Sequence, residues 1–128
     1  MKERDAATEL VVYCLTRDRD LATALDERLQ GAIGFFYNDA ARLHQAVTLR
    51  APDIVLVDTG AIREEYGDAG LGPIVIFLRE RCPDARVAVR PQAGVEHLVA
   101  AEAGPAAELL PPERDACVDA VATLCGCP

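Results

Sequence analysis

Serine is absent from all 128 residues, so no serine nucleophile can be built from this chain. Long hydrophobic runs are missing too. Leu10 to Leu15 is among the longest, and runs of that size fall far short of the roughly 20 residues a bilayer span requires. Positive charge is scarce: 13 Lys and Arg stand against 21 Asp and Glu, a net charge of −8 and a sequence pI near 4.7. That balance argues against nonspecific binding to nucleic acid or to an anionic membrane surface, both of which need a basic face. Four of the first five residues are charged and the apolar stretch after them is interrupted at Arg17, which is not the pattern of a secretory leader. Five cysteines (Cys14, Cys82, Cys117, Cys125, Cys127) make an odd number without paired C-x-x-C spacing, so a disulfide framework and a zinc site are both disfavoured. Cys125 and Cys127 form the one close pair, in a tail where fraying is usual. The expectation is a cytoplasmic, soluble protein with three cysteines acting as small core residues.

What is present suits one domain over 1–128 with a core of about 9–124: 51% of residues are hydrophobic and 27% charged. Five short apolar runs recur, each followed by helical periodicity. Leu10 to Leu15 precedes Leu21, Leu25 and Leu29, spaced four apart, with Asp18 or Asp20 as the cap and Gly31 past the end. Ile33 to Tyr37 leads through Asn38 and Asp39 into a helix from Ala40 to about Arg50, which Pro52 stops. Ile54 to Val57 ends on Asp58 and is followed by a polar, glycine-containing stretch, Thr59 to Leu71, expected as a loop. Pro73 then opens a helix that reaches Arg81. Val87 to Val89 precedes a short helix from about Gly94 to Ala103, and Glu108 to Leu110 precedes the last helix, which carries Cys117, Val121 and Leu124. Strands that are apolar throughout are covered on both faces. The alternation therefore predicts an α/β three-layer sandwich around a five-stranded parallel sheet.

Open parallel sheets bind ligands outside the carboxyl ends of their strands. That rule nominates Thr16, Arg17 and Asp18 after the first strand, Asp58 and Thr59 after the third, Arg90, Pro91 and Gln92 after the fourth, and Pro111 after the fifth. Asp58, closing four apolar residues, is the most telling, with a helix or loop cap as its structural alternative. A dinucleotide fingerprint is absent, since residues 16 to 20 contain no glycine. A cysteine phosphatase would need Arg six residues after Cys14, where Asp20 stands. His44 and His97 fall on different helices without paired ligands. No enzymatic constellation emerges.

The order of these segments resembles the receiver domain of bacterial two-component signalling, the CheY-like and flavodoxin-like fold with strand order 2-1-3-4-5. PDIVLVDTG at 52–60 is similar to the family's third strand, whose terminal aspartate accepts a phosphoryl group. LRERCPDARVAV at 78–89 resembles its third helix and fourth strand, VEHLVAAEAGPAAELLPP at 95–112 its fourth helix, fifth strand and following proline, and LATALDERL at 21–29 its first helix. The resemblance makes Asp58 the phosphoacceptor candidate. Receivers add an acidic pair that holds Mg²⁺ together with that aspartate, offsetting the charge of phosphoryl transfer. Here Thr16 and Arg17 align with the pair, leaving Asp18 and Asp58 as the only carboxylates for a metal. Pro91 aligns with the family's hydroxyl residue and Pro111 with its lysine.

One retained site residue among five implies a pseudo-receiver, a signalling module that works by protein–protein interaction without cofactor or catalysis. Its partners would be a signalling component, such as a histidine kinase or a fused output domain, or a second copy docked through 95–124. Arg17 or Arg90, paired with Asp58, would supply permanently the charge that Mg²⁺ brings transiently; the alternative is that both arginines point into water. The alternatives are a working phosphoacceptor on Asp58 with Mg²⁺, and a small-molecule-binding module whose long loop after Asp58 folds over the crevice.

Overall fold

Strings rich in β-branched and aromatic residues favour strands, and the runs at 10–15, 54–58 and 86–90 are largely buried on both faces as expected. Ile33, Gly34 and Phe35 of the run at 32–37 are instead exposed, because that strand lies at the sheet's edge. The computed structural model describes residues 10–67 and 70–126. Strands β1 (Leu10–Leu15), β2 (Ala32–Tyr37), β3 (Ile54–Asp58), β4 (Arg86–Arg90) and β5 (Glu108–Leu109) form one parallel sheet in the order β2-β1-β3-β4-β5. Between and after them run α1 (Arg19–Arg28), α2 (Ala40–Leu49), α3 (Thr59–Tyr66), α4 (Leu71–Arg81), α5 (Glu96–Ala103) and α6 (Arg114–Leu124). This is the doubly wound order expected from the sequence.

Strand parity divides the core in two. Val11, Tyr13, Leu15, Val55, Val57, Val87 and Val89 point toward α2, α3, α4 and α5. Cys14, Leu56 and Ala88 point the other way, onto Leu21 and Leu25 of α1 and Cys117, Val118 and Val121 of α6. Both sides of the central strands are therefore dry, which is why those strands read as unbroken apolar runs. Cys14, Cys82 and Cys117 are buried, as their small apolar character suggested, and Cys125 is half-buried. Cys127 lies outside the described residues.

The helix starts follow their side chains. Asp18 caps α1 by accepting from the Leu21 amide at 3.1 Å, and Asp39 caps α2 by accepting from the Arg42 amide at 2.8 Å. Gly31 closes the turn after α1 at φ 92°, where a side chain would be strained. His44 stacks on Phe77, with ring centroids 3.7 Å apart, joining α2 to α4, while His97 is exposed on α5.

One element differs from expectation. Residues 59–66 are not loop but helix α3, with Asp58 as its cap. Its glycines suggested a turn, yet Thr59, Ala61 and Ile62 bury one face, and Arg63, Glu64 and Glu65 are good helix formers on the other. Gly70 then lets α4 start close behind α3: a Cβ there would come 2.6 Å from Ile62 Cγ2 and 2.8 Å from Tyr66 Cβ. Among the described residues, no helix is long and apolar enough to cross a membrane.

Candidate functional site: a charged crevice at the carboxyl ends of β1, β3 and β4

The parallel register aligns three residues at the top of the sheet. Asp58 pairs with Arg90, and Leu15 with Val57, which brings Thr16 level with Asp58. Strand parity turns Asp58 and Arg90 to the α1/α6 side, above Cys14 and Cys117. Asp58 is buried, with 10% of its side chain exposed. Its Oδ2 accepts from Thr16 Oγ1 at 2.6 Å and from Arg90 Nη1 at 3.3 Å, and its Oδ1 accepts from the Gly60 amide at 3.4 Å. A carboxyl group this deep is costly to bury unless donors of this kind meet it.

Arg90 joins the elements that meet here. The same Nη1 donates to Asp18 Oδ2 at 3.1 Å, and Nε donates to the Pro112 carbonyl at 3.0 Å. Only 14% of its side chain is exposed. Burial works against the guanidinium charge, but Asp18 and Asp58 overcome it and raise the Arg90 pKa above its ordinary value. Partial burial likewise works against ionisation of Asp18, yet the Leu21 amide and Arg90 hold its carboxyl below the usual range. Beneath them, burial pushes the Cys117 thiol up to about 11, partly relieved by Arg90. Burial, with Asp58 adding to it, pushes Cys14 well above its ordinary value. Both thiols are protonated at neutral pH and are not nucleophiles.

Arg17 behaves otherwise. It turns away from Asp58, donating through Nε to the Asn38 carbonyl at 2.7 Å and through Nη1 to Glu64 Oε1 at 3.1 Å, with Glu65 Oε1 3.7 Å from Nη2. Of the two arginines proposed as partners for Asp58, the structure pairs Arg90 and not Arg17. Helix α3 supplies the acids that draw Arg17 outward, so reading 59–71 as a loop hid the reason.

The remaining candidates divide. Pro91 and Gln92 line the crevice, a cleft of about 350 Å³ shared with Arg17, Asp18, Asp58 and Arg90, and Gln92 accepts from Arg63 of α3. Thr59 is buried and donates to the Arg90 carbonyl at 2.8 Å, so it fastens β3 to β4. Pro111 is exposed and does not line the cleft; its neighbour Pro112 does, through the carbonyl that Arg90 reaches. Glu64, Glu65 and Pro112 belong to the site and were not anticipated. The Arg-Glu-Glu run after an apolar turn was the available signal for the first two, whereas a backbone carbonyl leaves none.

The donors do not fit a divalent cation. Asp18 and Asp58 already share one guanidinium, whose Nη1 lies 3.1 and 3.3 Å from their oxygens and occupies the place between the carboxylates that a metal would need. Among the described residues, no group of three or more His, Cys, Asp or Glu side chains could hold a metal. What the arrangement does chemically is bind charge to charge: Oδ2 of Asp58 is engaged by both Thr16 and Arg90, while Oδ1 accepts only from the Gly60 amide.

Compared with known proteins, the chain matches no family model and no curated sequence. It does superpose on a crystal structure from Burkholderia pseudomallei, that of a protein described as pilus assembly-related. The two are 20% identical with a TM-score of 0.57, over 92% of this chain and 90% of that one. At that identity the likeness is one of fold.

Proposed function

We propose that the chain is a receiver-like signalling module whose switch site is held by an internal ion pair and which acts by binding another protein, without catalysis or cofactor of its own. The observation that carries this reading is Arg90, whose guanidinium lies against both Asp18 and Asp58. A fixed cation there takes over the charge balance that a receiver obtains from Mg²⁺. The order of the strands, the position of Asp58 at the end of β3 and the pattern of receiver-like segments support the family assignment. A cytoplasmic two-component or phosphorelay setting follows from that assignment. The link of the Burkholderia pseudomallei neighbour to pilus assembly is in keeping with a module that recruits protein partners. On the family's usual docking face, residues 95–124, the exposed large apolar side chains are Leu98 and Leu109, and a homodimer through that face belongs to the same reading.

The test is intact mass after incubation with acetyl phosphate and Mg²⁺, with Asp58→Asn as the control. No phosphoryl gain in the wild-type chain, with its fold shown intact by circular dichroism, is the expected result. A gain that disappears in Asp58→Asn would replace this reading with that of a working phosphoacceptor.

A further inference from the structure

Strand β2 closes one side of the sheet, and its outer edge has no neighbour among the described residues. Natural edge strands are protected by brevity, charge, proline or a cover. β2 has none of the first three: it is six residues long and reads Ala-Ile-Gly-Phe-Phe-Tyr. Ile33 and Phe35 project on one face, 37% and 42% exposed, with Gly34 exposed between them. Phe35 is held edge-on against Tyr13, 5.8 Å between centroids, so this surface is ordered and apolar.

At the carboxyl end of the edge the chemistry changes. A cleft of about 650 Å³ wraps this end of β2 between α1 and α2, and Arg17, Arg19 and Arg42 line it. Asp18 is the one acid in that lining, so cations outnumber acids three to one there in a chain of net charge −8. Arg19 has no hydrogen-bond or ion-pair partner among the described residues, and Arg42 has Asp39 of its own helix at 3.4 Å.

We propose that β2 is a docking edge for an extended segment of a partner protein, one that alternates apolar side chains over Ile33 and Phe35 and carries acidic residues where it passes Arg19 and Arg42. Main-chain hydrogen bonds to the open edge supply affinity, and the arginines set polarity and register. Charge complementarity chooses this occupant over a second copy of the chain. Two-fold pairing of β2 with itself has to be antiparallel, which would lay Gln30 and Gly31 of one copy, with no acid among them, against the arginines of the other. The proposal rests on the reading of the chain as a protein-interaction module but not on the Asp58–Arg90 pair, so the mass experiment above and the one below can fail separately.

The experiment titrates the ¹⁵N-labelled full chain with the peptide Asp-Glu-Asp-Val-Thr-Val-Thr-Val, acidic at the end that meets Arg19 and Arg42 in antiparallel addition. Saturable amide shifts over residues 32–37 and slowed amide exchange along the β2 edge are expected. Arg19→Glu and Arg42→Glu should each weaken binding about fivefold, the size of an exposed ion pair. Neither change threatens the fold: Arg42 is exposed, and an acid suits the first turn of α1. Phe35→Lys, a charged edge residue, should abolish the shifts. Three results would overturn the proposal: equal binding of a Lys-Arg-Lys-Val-Thr-Val-Thr-Val peptide, shifts confined to residues 95–124, or a concentration-dependent dimer in sedimentation that the acidic peptide does not dissociate.

Discussion

Two clefts flank Arg17, and they treat charge in opposite ways. On the β3/β4 side, Asp18, Asp58 and Arg90 satisfy one another behind little exposed surface, and Thr16 and the Pro112 carbonyl complete the set. On the β2 side, Arg19 and Arg42 face an open groove beside an edge strand that carries no charge at all. In the first arrangement the polar groups already hold one another. The second leaves charge and backbone groups that a partner can meet. A crevice at the carboxyl ends of parallel strands is thus not by itself a binding site; what distinguishes a site is whether its polar groups still need partners.

The difference can be broken most directly at Arg90. Arg90→Ala strands two carboxylates, one of them buried, and should cost about 3 kcal/mol in urea unfolding, as does removal of one partner from a buried pair. A loss under about 1 kcal/mol would mean the pair is solvated after all. Thr16→Val removes the 2.6 Å hydrogen bond to Asp58 without changing the side-chain shape, and is expected to cost about 2 kcal/mol.

The thiols beneath the pair sharpen the contrast through pH. Cys117 has its pKa raised to about 11, so the folded chain keeps a proton that the unfolded chain gives up from about pH 8.5. Its contribution to stability is whole below that point and declines toward pH 11 by up to about 1.4 kcal/mol per pH unit, with Cys14 acting in the same direction. Chemical denaturation between pH 8 and 11, compared with Cys117→Ala, reads this slope, and an unchanged slope in the variant would remove the assignment. The smallest effect belongs to Arg17, between the two clefts. Arg17→Ala breaks exposed ion pairs to Glu64 and Glu65, so the loss should stay below about 1 kcal/mol, and the amide shifts of Asp58 and Arg90 should not move.

Much of the fold was legible because period and punctuation are local. Unbroken apolar runs announced strands covered on both faces, Asp18, Asp39 and Gly31 marked helix ends, and alternation of the elements pointed to a parallel sheet. Helix α3 was hidden because Gly60 and Gly67 look like loop residues, while what holds the helix, burial of Thr59, Ala61 and Ile62 against the sheet, is tertiary. In the site, Asp58, Asp18 and Arg90 were all in view as strand-end residues. The choice between Arg17 and Arg90 was not, since both lie one short step from Asp58 in the expected topology.

By itself, then, the sequence determined the α/β class, the number of strands, the burial of three cysteines and the address of the crevice, because each depends on residues close together in the chain. Only the tertiary structure decided which arginine meets Asp58 and which is drawn away from it. Those outcomes turn on strand register and side-chain parity: pairing Asp58 with Arg90 points both into one crevice, while Glu64 and Glu65, 47 and 48 residues beyond Arg17, draw that guanidinium outward. Long-range geometry of that kind is set by how layers pack, and no local pattern records it.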